Sequence, residues 1–447
     1  MSNSTNSIAL GRIAKLLDAG SFVEIGAQVN ARYDTSLGGA NGDGVVTGYG
    51  TIDGALVYVY AQDPKFLGGS VGEMHAKKIS KIYKMAVEMG APVIALVDCA
   101  GVRLNEGGDS LFSFGRIFKH QADASGIIPQ IEIILGSCGG GMAVSASMAD
   151  FVFMEKDNGK LFVTSPNAVI GNYEGKCDTA GADYQTKETG LCDFSGSEDE
   201  IYAQVRELVS ILPQNNVEDF SETECTDDLN RSVAGIEKLG CKCEMLTQIA
   251  DDGKFVAVKK GHTGCICTGF LKINGRTIGA VANNAKEICH MGCKKAISFI
   301  NFCDAFNIPV LTLVDVEGIK RDEANEKFAA KALGKLAFTY SHITVPTVTL
   351  ITGKAYGTAG VIMNSKALGA DLVYAWTGAE MGLMNKDLLA KIEDLPAGDT
   401  SSTAYNAGRG FIDDIIAPEE TRQRVAAAFE MLYTKTATDY MRKHGTV

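Results

Sequence analysis

Two glycine-rich turns contain the residues in this sequence that are best suited to chemistry. The first is Gly139-Gly140-Gly141, which follows an apolar run and precedes a stretch of small residues. The second is Gly357-Thr358-Ala359, in a similar setting. Where a strand ends and a helix begins, backbone N–H groups lack internal partners and carry the positive end of the helix dipole. Such a turn can bind an anion or stabilise a developing oxyanion.

A further turn lies 38 or 39 residues before each glycine-rich turn. Ala100-Gly101-Val102 precedes the first, and Glu317-Gly318-Ile319 precedes the second. Each could aim another N–H at the same point as its glycine-rich turn, so we interpret the four turns as two anion-stabilising sites. Tight packing of a helix on a strand also uses glycine, and it remains the alternative for any single turn.

The two sites belong to two copies of one sequence pattern. Residues 92–103 and 309–320 share six of twelve residues at an offset of 217 positions. The same offset relates Gly136 to Gly353, and we expect each of these two residues to open a glycine-rich turn after an apolar strand. A repeat as long as a domain indicates duplication rather than a solenoid. Two copies of one site are expected in a protein that handles two similar chemical groups.

Buried strands and helices must position these turns. Continuous apolar runs predict strands over residues 55–60, 93–97, 131–135, 277–282, 310–314 and 347–352. Helices are predicted over residues 75–88, 198–211 and 294–306. This alternation indicates an α/β fold with buried strands. A turn-forming break at 212–216 and an acidic segment at 218–228 separate two predicted domains, residues 1–215 and 230–447.

Composition limits the classes of function. The 447 residues carry a net charge of −12, which argues against nonspecific nucleic-acid binding. We interpret one lysine cluster at helical spacing as a solvated helix face; it consists of Lys77, Lys78, Lys81 and Lys84. No apolar run approaches the roughly 20 residues of a membrane span, and the first residues do not resemble a signal peptide. We therefore expect a cytoplasmic protein, at most peripheral to a membrane complex.

The twelve cysteines predict reduced thiols in a reducing compartment. Cys241 and Cys243 form one C-x-C pair, and Cys265 and Cys267 form another. Four thiolates could bind zinc, but zinc pairs usually have two to four intervening residues. On strands, both cysteines of a pair would share a face. Small buried thiols are favoured, and no metal is predicted.

The two glycine-rich turns do not match the sequence patterns of dinucleotide sites, phosphate loops or serine nucleophiles. Neither turn has the G-x-G-x-x-G pattern of a dinucleotide site or the Gly-Lys-Ser/Thr of a phosphate loop. Ser137, Ser145 and Ser147 lie near the first turn, but no histidine spacing identifies a base for a serine nucleophile.

Several motifs resemble the carboxyltransferase subunits of biotin-dependent acyl-CoA carboxylases and decarboxylases. They lie at residues 42–48, 68–75, 125–131, 302–309, 354–357 and 410–422. The resemblance implies two tandem crotonase-like domains, each a ββα superhelix, related by internal duplication. It also implies an enzyme that moves a carboxyl group between N1 of biotin and the α-carbon of a short acyl-CoA. Propionyl-CoA and methylmalonyl-CoA are the expected substrates.

By this resemblance, each site binds one oxygen atom. The N–H groups of Gly140 and Gly141, with Gly139 and the turn at Ala100, Gly101 and Val102, would hold the enolate oxygen of the thioester. Those of Thr358 and Ala359, with Gly318, Ile319 and Gly357, would hold the ureido oxygen of biotin. No side chain is implied as the base.

The chain departs from the family pattern on the expected biotin side. Thr358 stands where the family usually has a second glycine, so that a side chain crowds the site, and Glu317 stands where it has proline. Residues 384–389 replace a family segment that is rich in methionine, glycine and alanine. The segment 388–408 is shorter than the corresponding segment of the family.

The resemblance also implies partners. The sequence has no Met-Lys-Met biotin-attachment motif and no visible ATP-binding region. A biotin carrier protein, and a biotin carboxylase or membrane decarboxylase subunit, are therefore expected to be separate chains. A homodimer within a homohexamer is implied. Two other classes stay open: a crotonase-type acyl-CoA hydratase or hydrolase without biotin, and a non-catalytic scaffold that binds a carrier domain.

Overall fold

The computed structural model places each half of the sequence in its own unit, Met1–Glu218 and Asp219–Val447. It describes residues 7–32, 42–171, 178–218, 224–384, 389 and 400–436. Parts of three segments singled out in the sequence lie outside the described residues; these are segments 218–228, 384–389 and 388–408.

The first unit is built on one mixed sheet. Its strands are β1 (Val23–Glu24), β2 (Val45–Ile52), β3 (Ala55–Gln62), β4 (Val93–Cys99), β5 (Gln130–Gly139), β6 (Phe151–Glu155), β7 (Lys160–Phe162) and β8 (Phe194–Gly196). The order is β1-β2-β3-β4-β5-β6-β8, and β7 pairs with β5. The strands β1 to β3 are antiparallel, and β3 onward is parallel. Its helices are α1 (Ile8–Leu16), α2 (Glu73–Met89), α3 (Gly108–Ala124), α4 (Gly141–Met148), α5 (Ala182–Tyr184) and α6 (Glu198–Ile211).

The second unit repeats this plan. Its strands are β9 (Phe255–Val258), β10 (Ile266–Ile273), β11 (Arg276–Asn283), β12 (Glu287–Ile288), β13 (Val310–Val316), β14 (Gly318–Ile319), β15 (Thr347–Tyr356), β16 (Leu372–Trp376), β17 (Glu380–Gly382) and β18 (Asp414–Ile416). The main sheet has the order β18-β16-β15-β13-β11-β10-β9, with β17 on β15, while β12 and β14 form a separate parallel pair. The helices are α7 (Lys242–Ile249), α8 (His290–Ala305), α9 (Glu323–His342), α10 (Gly357–Ile362), α11 (Thr403–Gly408) and α12 (Thr421–Leu432).

Equivalent irregularities occur in the two sheets. The pairing of β4 with β5 shifts register between Val97 and Cys99, and that of β13 with β15 shifts between Val314 and Val316. The register shift leaves an aspartate, Asp98 or Asp315, directed at the neighbouring strand. The duplication therefore extends from the sequence to the detail of the hydrogen-bond ladder.

Apolar side chains from strands and helices fill the core of each unit. In the first unit, Ile79 and Ile82 of α2 pack with Ile134 of β5. In the second, Leu311 and Leu350 pack with the buried Trp376, whose indole N–H donates to Thr421 Oγ1 at 2.8 Å. Parallel strands that are buried on both faces require the continuous apolar runs seen in the sequence. The predicted α/β class is confirmed.

The predicted elements are present, but the strands that lead to the turns are longer than predicted. β5 continues through Gly139 and β15 through Tyr356, because β7 and β17 pair with their last residues. The prediction that the turns begin at Gly136 and Gly353 was therefore wrong, and the chain reverses at Gly140 and Gly357. Glycine is required at 136 and 353 because an added Cβ would lie 2.1 Å and 2.4 Å from the Oδ1 atoms of Asp98 and Asp315, respectively.

The lysine cluster on α2 is only partly a solvated face. Lys77, Lys81 and Lys84 are exposed, but Lys78 is buried and its Nζ lies 3.3 Å from Asp43 Oδ1. Lys78 Nζ also donates to the Val45 carbonyl. Lys78 therefore fixes α2 to the start of β2, which its spacing with the other lysines did not indicate.

Candidate active site

The glycine-rich turn of the first unit is centred on Gly140. This residue has φ 60° and ψ −119°, a conformation that glycine adopts readily and other residues rarely adopt. Its N–H donates to the Phe162 carbonyl oxygen at 2.9 Å. The N–H predicted from the sequence as an oxyanion donor is therefore engaged within the fold, and Gly140 serves to turn the chain.

Gly141 begins helix α4 and keeps its N–H available. No acceptor for this group occurs among the described residues. An added Cβ at Gly141 would lie 2.5 Å from the ring of Phe114, which belongs to α3. The residue must be glycine because this ring covers it. The N–H groups at the start of α4 also carry the positive end of the helix dipole.

The upstream turn of the first unit lies against the glycine-rich turn. A Cβ built on Gly101 would be 3.6 Å from the Gly139 carbonyl oxygen. The Ala100 N–H donates to the Gly68 carbonyl at 2.9 Å, and the Gly101 N–H lies 3.3 Å from Cys99 Sγ. These two N–H groups are engaged, so they line the turn without being open donors.

Val102 supplies the open donor of this turn. Val71 N–H donates to the Gly101 carbonyl, and Arg103 N–H donates to the Val71 carbonyl, both at 2.9 Å. Because N–H directions alternate along an extended chain, the Val102 N–H points away from Val71. Val102 is half-buried. In the first unit, the N–H groups of Val102 and Gly141 therefore both lack an acceptor among the described residues.

A buried ion pair fixes the upstream turn. Arg103 Nη1 lies 2.9 Å from Glu106 Oε1, and the two side chains are 2% and 1% exposed. Arg103 Nη2 donates to the carbonyls of Asp43 and Ser70, both at 2.7 Å, and Glu106 Oε2 accepts from Glu73 N–H at 2.6 Å. This network was not predicted. An arginine three residues before a glutamate is a visible signal, but the sequence did not show that both would be buried.

The second unit has the same backbone arrangement. Gly357 has φ 56°, close to that of its equivalent Gly140. Lys320 N–H donates to the Ile288 carbonyl at 2.9 Å, so the Ile319 N–H points away from β12, as Val102 N–H points away from Val71. Thr358 is exposed and Ala359 is buried at the start of α10, which lies against β14.

A cavity of about 1040 Å³ opens beside this turn in the second unit. Its wall includes Gly318, Ile319 and Tyr356, the residue directly before Gly357. The residues Gly357, Thr358 and Ala359 are not part of that wall. Of the five predicted residues of this site, the cavity wall therefore includes the two of the upstream turn, and Tyr356 was not predicted.

Glu317 also lines the cavity, but lysines balance its charge. Its Oε1 lies 2.9 Å from Lys286 Nζ and 3.0 Å from Lys354 Nζ. Hydrogen bonds from Lys286 and Lys354 hold the pKa of the Glu317 carboxyl below its usual value. The carboxylate expected on this side therefore does not add an uncompensated negative charge to the cavity.

Equivalent aspartates support the two sites. Asp98 Oδ1 accepts from Ser137 N–H at 3.3 Å, and Asp315 Oδ1 accepts from Lys354 N–H at 2.9 Å. Arg12 pairs with Asp98 at 3.0 Å, and Lys242 pairs with Asp315 at 3.3 Å. Each carboxylate therefore bridges the register shift next to its turn and is itself held by a cation.

His75, Ser145 and Ser147, which the structure describes, are not placed to act as a catalytic base and nucleophile. Burial lowers the pKa of His75 to about 3, and its ring lies 3.2 Å from Gln62 Nε2, so it is a neutral structural group. Ser147 Oγ donates to the Val144 carbonyl at 2.8 Å, and Ser145 Oγ is buried without a partner. Neither serine can act with a histidine.

The cysteines differ from the sequence-based prediction. Cys243 and Cys267 form a disulfide bond, so the prediction of reduced thiols throughout was wrong. Cys241 caps helix α7, which contains Cys243, so that pair is not on a strand. Cys265 faces Cys289 instead of the other members of the C-x-C pairs. In the described part of the chain, no group of three or more His, Cys, Asp or Glu residues could hold a metal ion.

Comparisons with known proteins show the family to which the chain belongs. Residues 3–393 match the carboxyl transferase domain family. The chain is 40% identical to the propionyl-CoA carboxylase beta chain of Roseobacter denitrificans and 39% identical to the methylmalonyl-CoA decarboxylase alpha subunit of Veillonella parvula. Each alignment covers 98% of this chain and 92% of the relative. The chain belongs to the carboxyl transferase family.

A solved structure supports the same assignment. The transcarboxylase 12S crystal structure, described as a hexamer assembly with hydrolysed methylmalonyl-coenzyme A bound, is 34% identical with a TM-score of 0.90. The match covers 98% of this chain and 91% of that chain. The predicted fold, with its duplicated crotonase-like architecture, and the predicted acyl-CoA carboxyltransferase activity of the biotin-dependent group are confirmed. No helix among the described residues has the length and apolar character needed to cross a membrane.

Proposed function

We propose that this carboxyltransferase moves a carboxyl group between N1 of biotin and the α-carbon of propionyl-CoA or methylmalonyl-CoA. The observation that carries the proposal is the construction of the same pair of backbone donor turns in both units. Enolate formation and release of a biotin carboxyl group both place negative charge on a carbonyl oxygen. A fold with two equivalent donor turns suits a reaction with two such oxygens.

The first unit is assigned to the thioester. The N–H groups of Val102 and Gly141 would donate to the enolate oxygen, with Gly140 and Gly139 setting the turn. Gly101 and Ala100 hold the upstream strand against them. Each such donor is worth about 3 to 4 kcal/mol of transition-state stabilisation.

The second unit is assigned to biotin. The N–H groups of Ile319, Thr358 and Ala359 would donate to the ureido oxygen, with Gly318 and Gly357 setting the two turns. The cavity beside Ile319 has room for a bicyclic ring, and two lysines pair with Glu317, so the charge of this carboxylate is compensated where a carboxylated ring would bind. Biotin, when bound, supplies the N1 atom that carries the carboxyl group and receives the α-proton.

The partners follow from the same assignment. The names of the relatives describe chains and subunits of carboxylases and decarboxylases. We infer that a biotin carrier protein and a biotin carboxylase or membrane decarboxylase subunit are separate chains that work with this one. We also infer a homohexamer, because the transcarboxylase 12S structure is described as a hexamer assembly. A cytoplasmic location fits such a complex.

A biotin-dependent assay tests the function. Purified chain is incubated with methylmalonyl-CoA, with and without free biotin, and propionyl-CoA is measured by chromatography. We expect product only when biotin is present, and avidin should abolish it. Malonyl-CoA serves as the second substrate. If neither thioester loses its carboxyl group with free biotin or with a biotinylated carrier, the proposed function is wrong.

A further inference from the structure

Two thiols face each other in the wall of the cavity in the second unit. Cys265 Sγ and Cys289 Sγ are 2.9 Å apart, and both residues line the cavity of about 1040 Å³. The length of a disulfide bond is about 2.05 Å, so only a small movement would join them. Both cysteines are outside the Cys243–Cys267 disulfide.

The backbone favours a thiolate at Cys289. This residue caps helix α8, which has sixteen residues, and its Sγ accepts from Gly292 N–H at 3.4 Å. A cysteine at a helix N-terminus is activated because the helix dipole stabilises the thiolate. Thr263 Oγ1 lies 3.4 Å from Cys289 Sγ and 3.3 Å from Cys265 Sγ, so it can donate to either sulfur atom.

The two thiols differ in acidity because each contacts the other. The hydrogen bond between their sulfur atoms lowers the pKa of Cys289 and raises the pKa of Cys265. Lys320 lies on the same cavity wall, where its Nζ pairs with Asp322 at 2.8 Å. Helix α8 also carries Cys293 and Cys303, which are both buried, and burial raises the pKa of both thiols, that of Cys293 to about 12.

We propose that Cys265 and Cys289 form a peroxide-reactive dithiol in this cavity, with Cys289 as the nucleophile and Cys265 as the resolving thiol. The Cys289 thiolate attacks one oxygen of a hydroperoxide, which gives a sulfenic acid and releases water or an alcohol after proton transfer. The Cys265 sulfur then attacks the Cys289 sulfur and releases water. Overall, two thiols and one hydroperoxide give one disulfide, one water and one water or alcohol.

The new bond would alter the cavity next to a donor turn. Cys289 directly follows Ile288, whose carbonyl accepts from Lys320 N–H beside Ile319. A Cys265–Cys289 disulfide would tie the start of β10 to the start of α8 and remove a thiolate from the wall. Oxidation of the two thiols does not depend on the proposed carboxyl transfer.

Cysteine mapping on the full chain tests the dithiol. The protein is treated with hydrogen peroxide, quenched with iodoacetamide and digested without reduction for mass spectrometry. We expect a linked peptide pair containing Cys265 and Cys289, with both sites losing alkylation together and recovering it after dithiothreitol. Cys241 is the internal reference, because it also caps a helix but its side chain makes no capping hydrogen bond. Before oxidation, Cys289 should be alkylated about tenfold faster than Cys241, since an ordinary thiol is only a few per cent thiolate at neutral pH.

Two serine variants assign the roles. In Cys265→Ser, peroxide should leave a sulfenic acid on Cys289 that dimedone traps, because the resolving thiol is absent. In Cys289→Ser, Cys265 should remain a thiol after the same treatment. Cys293→Ser is the control and should form the linked pair as the unchanged chain does. Circular dichroism checks folding, and if Cys289→Ser does not fold, the Cys265→Ser result decides.

Three results would overturn the inference. In the first, iodoacetamide still alkylates both Cys265 and Cys289 after peroxide treatment. In the second, a linked peptide pair forms with Cys241 or Cys293 instead. In the third, the Cys265→Ser chain gives no dimedone adduct on Cys289.

Discussion

The glycine-rich turns at Gly140 and Gly357, with their upstream turns, have similar backbone conformations in the two units but different surroundings. In the first unit the ring of Phe114 covers Gly141, and the buried Arg103–Glu106 pair holds the upstream turn. In the second unit, the equivalent residues Thr358 and Lys320 are exposed. The hydrogen-bond register and the positive φ of Gly140 and Gly357 are the same. Donor geometry is therefore set by the strands, while side chains decide how closed each site is.

The second unit uses a neutral amide, Asn325, to hold the residue that follows its upstream turn, where the first unit uses the Arg103–Glu106 ion pair. Asn325 Nδ2 donates to the Lys320 carbonyl at 2.8 Å, and Asn325 Oδ1 accepts from His290 N–H at 2.7 Å. Lys320 Nζ pairs with Asp322 at the surface. In both units a buried polar side chain therefore bonds next to the upstream turn, charged in the first unit and neutral in the second.

The largest difference in stability between the two units is expected when the cations at equivalent positions, Arg103 and Lys320, are replaced. Arg103→Met leaves Glu106 as a buried charge without its partner, which should cost about 3 to 5 kcal/mol of stability. Lys320→Met removes an exposed charge and should change stability by less than about 0.5 kcal/mol. Thermal and urea unfolding measure both variants. Equal destabilisation by the two would contradict the contrast between a covered and an open turn.

Loss of the Thr358 N–H in the second unit should have the next largest effect, a lower rate of biotin-dependent carboxyl transfer. Thr358→Pro removes one N–H at an exposed position in the first turn of α10, where proline is tolerated. Biotin-dependent carboxyl transfer should fall about 100- to 1000-fold. Thr358→Ala keeps the N–H and is the matched control, with activity near that of the unchanged chain.

A second proline variant separates the classes of enzyme. Ala359→Pro also deletes a donor in the second unit, so we expect a similar loss of biotin-dependent transfer. Unchanged turnover of an acyl-CoA in both proline variants would instead favour a crotonase-type enzyme that needs only the first unit. Absence of measurable acetyl-CoA binding by calorimetry would favour a scaffold.

A methyl group should be tolerated differently at the two turns. Gly141→Ala places a Cβ 2.5 Å from the Phe114 ring, so we expect a loss of about 1 to 3 kcal/mol of stability from overpacking. Combining it with Phe114→Leu should recover part of the loss. Thr358→Gly, the converse change at the open turn, should cost at most about 1 kcal/mol. Unfolding midpoints compare the three chains.

The smallest effect concerns Glu317. Its lowered pKa means that the paired carboxylate stabilises the fold above the usual glutamate pKa and loses this contribution as pH falls through the lowered value. Lys286 is largely exposed, so the contribution should be below about 1 kcal/mol. The chain with Glu317→Gln should therefore be slightly less stable at pH 7 and equal to the unchanged chain at strongly acidic pH. A difference that persists in acid would show that the ion pairs are not its cause.

The architecture was predictable because its signals are local. Apolar runs such as 93–97 and 310–314 mark buried strands wherever they occur, and the repeated residues 92–103 and 309–320 reveal the duplication without any contact information. The positions of both upstream turns follow from the same repeat. Helix α6 begins at Glu198 and ends at Ile211, as the pattern predicts.

The donor set was only partly predictable, because hydrogen-bond partners come from distant residues. Gly140 and Gly141 are indistinguishable in the sequence, yet the Gly140 N–H is engaged by Phe162, which the pairing of β7 with β5 brings alongside. Val102 emerged as a donor only once its neighbours were seen to pair with Val71.

The amino-acid order alone fixed the class of fold, the twofold repeat and the neighbourhood of each turn, since these depend on residue type and spacing along the chain. Tertiary structure decided which amides stay open, why Lys78 is buried among lysines that are not, and which cysteines meet. Those outcomes depend on atoms brought together from positions far apart in the chain, such as Cys265 and Cys289, and no local pattern encodes their distances.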